Sequence, residues 1–257
     1  TIVNYFGGKF TNGTLVGNNT IIHNLDNKQL FDNVAIQGTW KVEKAHSDWF
    51  KTWHDGYVLD KEMRLDGNGD RYFISKVNEG GTQFYVNNTT YDFGVSTGLT
   101  YHDDTVALQQ LLNLKADYTT IGNAGEVFMI DANNGQNIRG RTDFGGLLVE
   151  LFDDKIIEIK GVLKAIRNDK TSSSILRVGF CKGLTITGHG GIDGELFEHE
   201  GNSGEWGIGI FVHSCVDLTV KNKTIRDCWG DGVFSSYSKM GDWQLNPIEI
   251  KRKETNE

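Results

Sequence analysis

Two short runs of alternating apolar and polar residues, separated by a tight turn and closed by a glycine, make up the segment LVELFDDKIIEIKG (148–161). The same pattern returns 27 residues on as ILRVGFCKGLTITG (175–188), and a further 34 residues on as GIFVHSCVDLTVKN (209–222). PIEIKR (247–252) continues the last run. At these offsets Leu151 falls on Val178 and Val212, Ile157 on Leu184 and Leu218, and Gly161 on Gly188 and Asn222. Alternation with period two is the mark of a strand with one buried face, and Gly and Asn are the residues that tolerate positive φ at a turn. A unit of this size cannot bury its own apolar face, whereas stacked units bury one continuous core. The pattern therefore predicts an all-β chain in which parallel strands stack as a solenoid, with Leu151, Val178 and Val212 in one buried column and Ile157, Leu184, Leu218 and Ile248 in another. The longer second offset places an outward loop at GELFEHEGNSGEWG (194–207).

Ahead of the repeats, YHDDTVALQQLLNL (101–114) reads as a helix, with Asp103 or Asp104 as its cap and Val106, Leu108, Leu111 and Leu112 as its apolar side. Such a helix would cover the open end of the solenoid. Residues 1–75 are short strands punctuated by Gly and Asn, with Trp40, Trp49 and Trp53 among them. They are expected to form a separate β-rich region, joined through residues 76–100 to a solenoid over 101–257.

Composition agrees: Gly occurs 32 times and Pro once, so the turns must rely on Gly, Asn and Asp. The formal net charge of −8 argues against nucleic acid as a partner, since that interaction needs basic surface. Apolar runs fall short of a membrane span. Cys181, Cys215 and Cys228 are too few and too far apart for a disulfide framework or a zinc site, and no metal or other cofactor is called for. DGNGD (66–70) has the opening ligand positions of a calcium loop but lacks its glycine and closing glutamate, and reads as a hairpin turn.

DDTVALQQLLN (103–113), the repeating strand pairs and above all GEWGIGIFVHSCVDLTVKNKTIRDCWGDGVF (204–234) resemble the pectate-lyase-like superfamily of right-handed parallel β-helices, in the form found in phage tailspikes and polysaccharide depolymerases. The resemblance spans roughly Asp103 to Ile250. It implies a right-handed parallel β-helix, further windings beyond Glu257, and a location at a virion tail or outside the cell. It also implies a homotrimer that recognises, and in an enzymatic form cleaves, a bacterial cell-surface polysaccharide, with virion tail proteins held through the N-terminal region. The scaffold equally hosts secreted polysaccharide lyases and glycoside hydrolases, and purely structural virion proteins.

On this alignment the outward face carries Glu150, Arg177, Phe211 and Phe234 in one row, and Phe152, Gly179, His213 and Ser236 in the next. Glu205 and Asp231 each precede the first strand of successive windings, which makes them the candidate acid and base for a glycosidic bond. Trp206, Trp229, His213, Arg177 and Phe211 would bind the sugar beside them. His189, in GHGG, is a weaker candidate. DCWGDG (227–232) is thus either an active-site turn or a corner of the scaffold.

Overall fold

The computed structural model describes residues 1–24, 27–54, 101–132, 145–196, 199 and 206–236, together with the backbone of strands in 57–100 and 244–251. The fold is mostly β. Strands β1 (Ile2–Asn4), β2 (Phe10–His23) and β3 (Phe31–Lys41) form one parallel sheet. β4 (Lys44–His46) follows, then seven short strands, β5 (Tyr57–Leu59) through β11 (Leu99–Tyr101), then helix α1 (Thr105–Asn113).

From β12 (Tyr118–Ile121) onward the chain visits three parallel sheets in turn. β12, β15 (Ile156–Ile159), β18 (Thr185–Thr187), β21 (Thr219–Val220) and β24 (Gln244–Leu245) pair in that order, and β4 adds to the β12 edge. β13 (Val127–Ile130), β16 (Val162–Ala165), β19 (Gly191–Asp193), β22 (Lys223–Arg226) and β25 (Ile248–Lys251) form the second sheet. β14 (Leu147–Glu150), β17 (Ser172–Gly179), β20 (Trp206–His213) and β23 (Val233–Ser236) form the third. Every neighbour is thus the third strand along the chain. The inward columns Ile157–Ile186–Val220, Leu163–Ile192–Ile225 and Val149–Val178–Val212 are fully buried, which is why alternation was so regular in the sequence.

Register corrects the first offset. Val149 pairs with Val178 and Ile157 with Ile186, a separation of 29 residues where the repeats suggested 27. A slip of two keeps every strand residue on its own face, so the apolar match survived the error. At the corner it did not survive: Leu151 is 58% exposed at φ 58°, level with the positive-φ Phe180 and Ser214 of the next circuits. Asp154, Gly183 and Asp217 repeat the same left-handed conformation three residues on. Leu184 and Leu218 are buried on consecutive circuits as expected. Ile248, however, belongs to another sheet, where its backbone pairs with Lys223.

One of the three connections between sheets is constant. Eight residues separate Val149 from Ile157, Val178 from Ile186 and Val212 from Val220. The next is short but not fixed: nine residues from Thr119 to Phe128, six from Ile157 to Leu163 and from Ile186 to Ile192, and five from Val220 to Ile225. The third connection, into the β14–β17–β20–β23 sheet, varies: 15 residues from Leu163 to Val178, 20 from Ile192 to Val212 and 10 from Ile225 to Ser235.

The N-terminal sheet repeats on a shorter period, legible as FTNGTLVG (10–17) over FDNVAIQG (31–38). Phe10, Phe31 and Phe50 stack at centroid separations of 6.0 and 4.9 Å. The level positions Asn12 and Asn33 both have positive φ, and Asn33 Nδ2 donates to Asn12 Oδ1 at 2.9 Å. The region was expected to be separate, yet Ile22, Leu30, Ile36 and Trp49 share one core with Leu108 and Ile121.

Helix α1 sits between the two stacks. Leu108, Leu111 and Leu112 are buried while Val106, assigned to the apolar side, is 61% exposed. Asp103 caps the helix by accepting from Thr105 N at 2.8 Å. The buried Asp104 carboxylate accepts instead from Trp53 N (2.6 Å) and His54 N (3.2 Å), tying the preceding segment to the helix. Gln109 exchanges two hydrogen bonds with the backbone of Leu148 (2.8 and 3.1 Å), and Gln110 accepts from Ile36 N at 2.6 Å. Two adjacent amides so close the edges of two sheets, groups that would otherwise invite another strand.

Candidate functional site

The outward rows of the β14–β17–β20–β23 sheet are Leu148, Arg177, Phe211, Phe234 and Glu150, Gly179, His213, Ser236. Glu150 therefore lies level with Gly179 and His213, not beside Arg177, and Phe152 is buried past the corner. Arg177 Nε lies 3.4 Å from His213 Nε2, and its guanidinium carbon is 5.8 Å from the Phe211 ring centroid. Phe211 stacks on Phe234 (5.6 Å, 14°), and Trp206 meets Phe234 edge-on (5.4 Å, 73°). Phe180 meets His213 edge-on at 4.9 Å. Gly179 leaves room for the imidazole, since a Cβ there would come within 2.3 Å of His213 Nε2 and the ring would have to move.

Of the residues expected to bind sugar, Arg177, Phe211, His213 and Trp206 are brought together, the last through Phe234. Their accessibility differs. Arg177, Phe211 and His213 are buried, whereas Trp206 is 47% exposed. They form the floor and Trp206 the accessible edge.

Trp229 plays a packing part. Its ring stacks on His199 of the 194–207 loop (4.2 Å, 16°), and its β-carbon occupies the space a side chain at Gly207 would need. Asp231 is exposed two residues ahead of β23, and its carbonyl accepts from Gly209 N at 3.0 Å. Gly230 N donates to Gly207 O at 2.8 Å, so Asp231 is level with Ile208. Glu205 lies outside the described residues, and so does DGNGD at 66–70. His189 is exposed on a turn whose glycines are dictated by the neighbouring circuit: a Cβ on Gly190 would lie 2.0 Å from Gly161 O. Cys181 and Cys215 are buried free thiols in one column, donating to Gly179 O (3.2 Å) and His213 O (3.3 Å).

The structure adds a charged cluster absent from the expected set. Lys164, Asp193 and Arg226 are level in the second sheet; Asp193 lies 3.5 Å from Lys164 Nζ and 2.9 Å from Arg226. Burial pushes the Asp193 carboxyl up, and the two cations pull it back. Beyond it, Glu195 holds His199 Nδ1 at 2.8 Å, with both side chains buried. The adjoining void, lined by Glu195, Cys228 and Trp229, is about 10 Å³, room for no more than a water. Glu195 and His199 tie the described part of the 194–207 loop to Trp229. The signal of the charged cluster was present as the 29-residue spacing of Lys164 and Asp193, which the shorter offset concealed.

Among the described residues no group of three or more His, Cys, Asp or Glu side chains is placed to hold a metal ion. No helix there is long and apolar enough to cross a membrane.

No family model matches the chain, and no solved structure matches it. It is similar to the uncharacterized protein YclG of Bacillus subtilis (strain 168), 30% identical over 154 residues that make up 56% of this chain and 26% of that protein. It is also similar to the SPbeta prophage-derived uncharacterized protein YorA of the same organism, 27% identical over 114 residues, 42% of this chain and 19% of that protein. The matched stretch thus spans about a quarter of one relative and a fifth of the other.

Proposed function

We propose that the chain is a phage-related, tailspike-like protein whose three sheets are the faces of a right-handed parallel β-helix, and that its third sheet recognises a bacterial cell-surface polysaccharide. The observation that carries this reading is the aromatic floor of Phe211 and Phe234 ending in the exposed indole of Trp206. Flat rings stack on the apolar faces of sugars, and an indole offers a large, rigid surface with a polar edge. The return of every third strand to the same sheet supports the helical scaffold, and similarity to a prophage-derived protein supports the phage setting. Three copies packed side by side would cover exposed sheet edges, which is the basis for a homotrimer attached to virion tail proteins through residues 1–75.

The test is adsorption of purified protein to a panel of bacterial capsules and wall polysaccharides. Trp206→Ala should lower affinity for the recognised glycan about tenfold or more, the scale of a central aromatic contact, with the trimer preserved in sedimentation. Unchanged adsorption would overturn the assignment of this face. Cleavage is tested on the same glycan: in a depolymerase, Asp231→Asn and Glu205→Gln each remove an ionisable group and abolish product release, whereas in a binder they leave adsorption nearly intact.

A further inference from the structure

A second concavity lies on a different sheet, away from the aromatic face. It is a cleft of about 1160 Å³ between the ends of β2 and β3 on one side and β4, β12 and β15 on the other. Its walls are already fixed. Val42 O and Glu43 O accept from Asp117 N and Tyr118 N at 2.9 Å, and Ile22, Val42 and Trp49 behind them belong to the core.

Two rings border it. Trp40 is half-buried, its indole N–H donates to Gln37 O at 2.8 Å, and its ring lies against Gly17, where a Cβ would come within 2.5 Å. The ring is therefore clamped on backbone, and the residue lines the cleft. Tyr118 stands on the opposite wall, in register with Lys44, and its phenol is hydrogen-bonded to Glu158; burial first and this bond second push the phenol up.

The charges are distributed in a way that selects a ligand class. Lys41, Lys44, Lys155 and Lys160 face Glu43, Asp117 and Glu158, so the cleft is close to neutral. Lys155 is paired with Asp117, and Lys160 lies 3.2 Å from Glu158. A polyanion would have to displace these carboxylates, while a polyol hydroxyl can bridge each pair, accepting from the ammonium and donating to the carboxylate. The volume is at or above the upper end for small-molecule sites, suiting a ligand of several linked rings. We propose that this cleft is a second carbohydrate site, taking an uncharged oligosaccharide between Trp40 and Tyr118. The assignment goes beyond the aromatic face and stands or falls without it.

The experiment titrates the full chain calorimetrically with cellotetraose, maltotetraose, chitotetraose and the acidic tetragalacturonate. At least one neutral tetrasaccharide should bind saturably, and Trp40→Ala should weaken it about tenfold or more while Trp206→Ala leaves it unchanged. Thr120→Trp, which fills the cleft from an outward position without touching the core, should abolish the same binding even if Trp40→Ala fails to fold. Absence of neutral binding, binding of tetragalacturonate alone, or a loss on Trp206→Ala with Thr120→Trp unaffected would each overturn the proposal. Failure of polysaccharide adsorption through Trp206 would leave it standing.

Discussion

Residues 10–41 and residues 147–236 both stack parallel strands, but different forces hold them. In the second region three sheets each contribute an inward column to one core, and β17 and β20 are buried along nearly their whole length. In the first, a single sheet repeats every 21 residues, and most of β2 stays exposed. Its register is held by the phenylalanine column, the Asn12–Asn33 bond and backbone contact at Gly17 and Gly38. A parallel stack built from three such sheets can rely on aliphatic burial, whereas an open stack needs side chains that bond or stack along its own axis.

The largest expected effect separates the two. Leu184→Ala should cost about 2–5 kcal/mol in denaturant unfolding, because it hollows a column with no solvent path for relaxation. Leu15→Ala, at a half-buried position of β2, should cost about 1 kcal/mol or less. Equal costs would show that the open stack also depends on aliphatic burial.

Next comes Gly38→Ala. The site has φ 79°, and a Cβ would lie 2.1 Å from Gly17 O, so a loss of about 1–3 kcal/mol is expected, measured by thermal unfolding. It should fall on the N-terminal stack, read by the fluorescence of Trp40.

The smallest effect at any one step is a slope with pH. Lys223 is buried, its ammonium nitrogen donates to Ile159 O (2.7 Å) and Gly188 O (2.8 Å), and burial lowers its pKa to about 7. Above that value and below its ordinary 10.5, the unfolded chain holds a proton that the folded chain lacks. Stability should therefore rise with pH across this window, by at most about 1.4 kcal/mol per unit, and flatten above it. Lys223→Met should remove the rise, as followed by denaturant midpoints from pH 6 to 10.

The inward columns were legible because alternation survives any even slip, and Leu184 with Leu218 needed nothing more. What escaped depended on absolute register. Leu151 looked like one more buried aliphatic until its left-handed backbone turned it outward, and Lys164 with Asp193 reads as a pair only at the true spacing. The FTNGTLVG repeat was on the page, but its stacking is signalled by Phe and Asn and not by aliphatic alternation. At the candidate site, residue type pointed to Arg177, Phe211 and His213, while their burial comes from packing on one another and on Phe180 and Phe234, which depends on register. Trp229 was claimed by the 194–207 loop through His199.

The unequal connections into the third sheet bear on how such a protein could diversify. The eight-residue corners are locked by recurring left-handed positions, so an insertion there would break the turn that sets the next strand's face. Among the described residues, the 15-, 20- and 10-residue connections show no left-handed position that recurs from circuit to circuit. Doubling a free loop costs only about 0.6 kcal/mol of closure entropy. Length variation is thereby channelled to the border of one face, the one that ends in Trp206. A lineage confronted with a changing cell surface could revise that border repeatedly while inheriting the scaffold intact, and a designer could graft loops at the same three points.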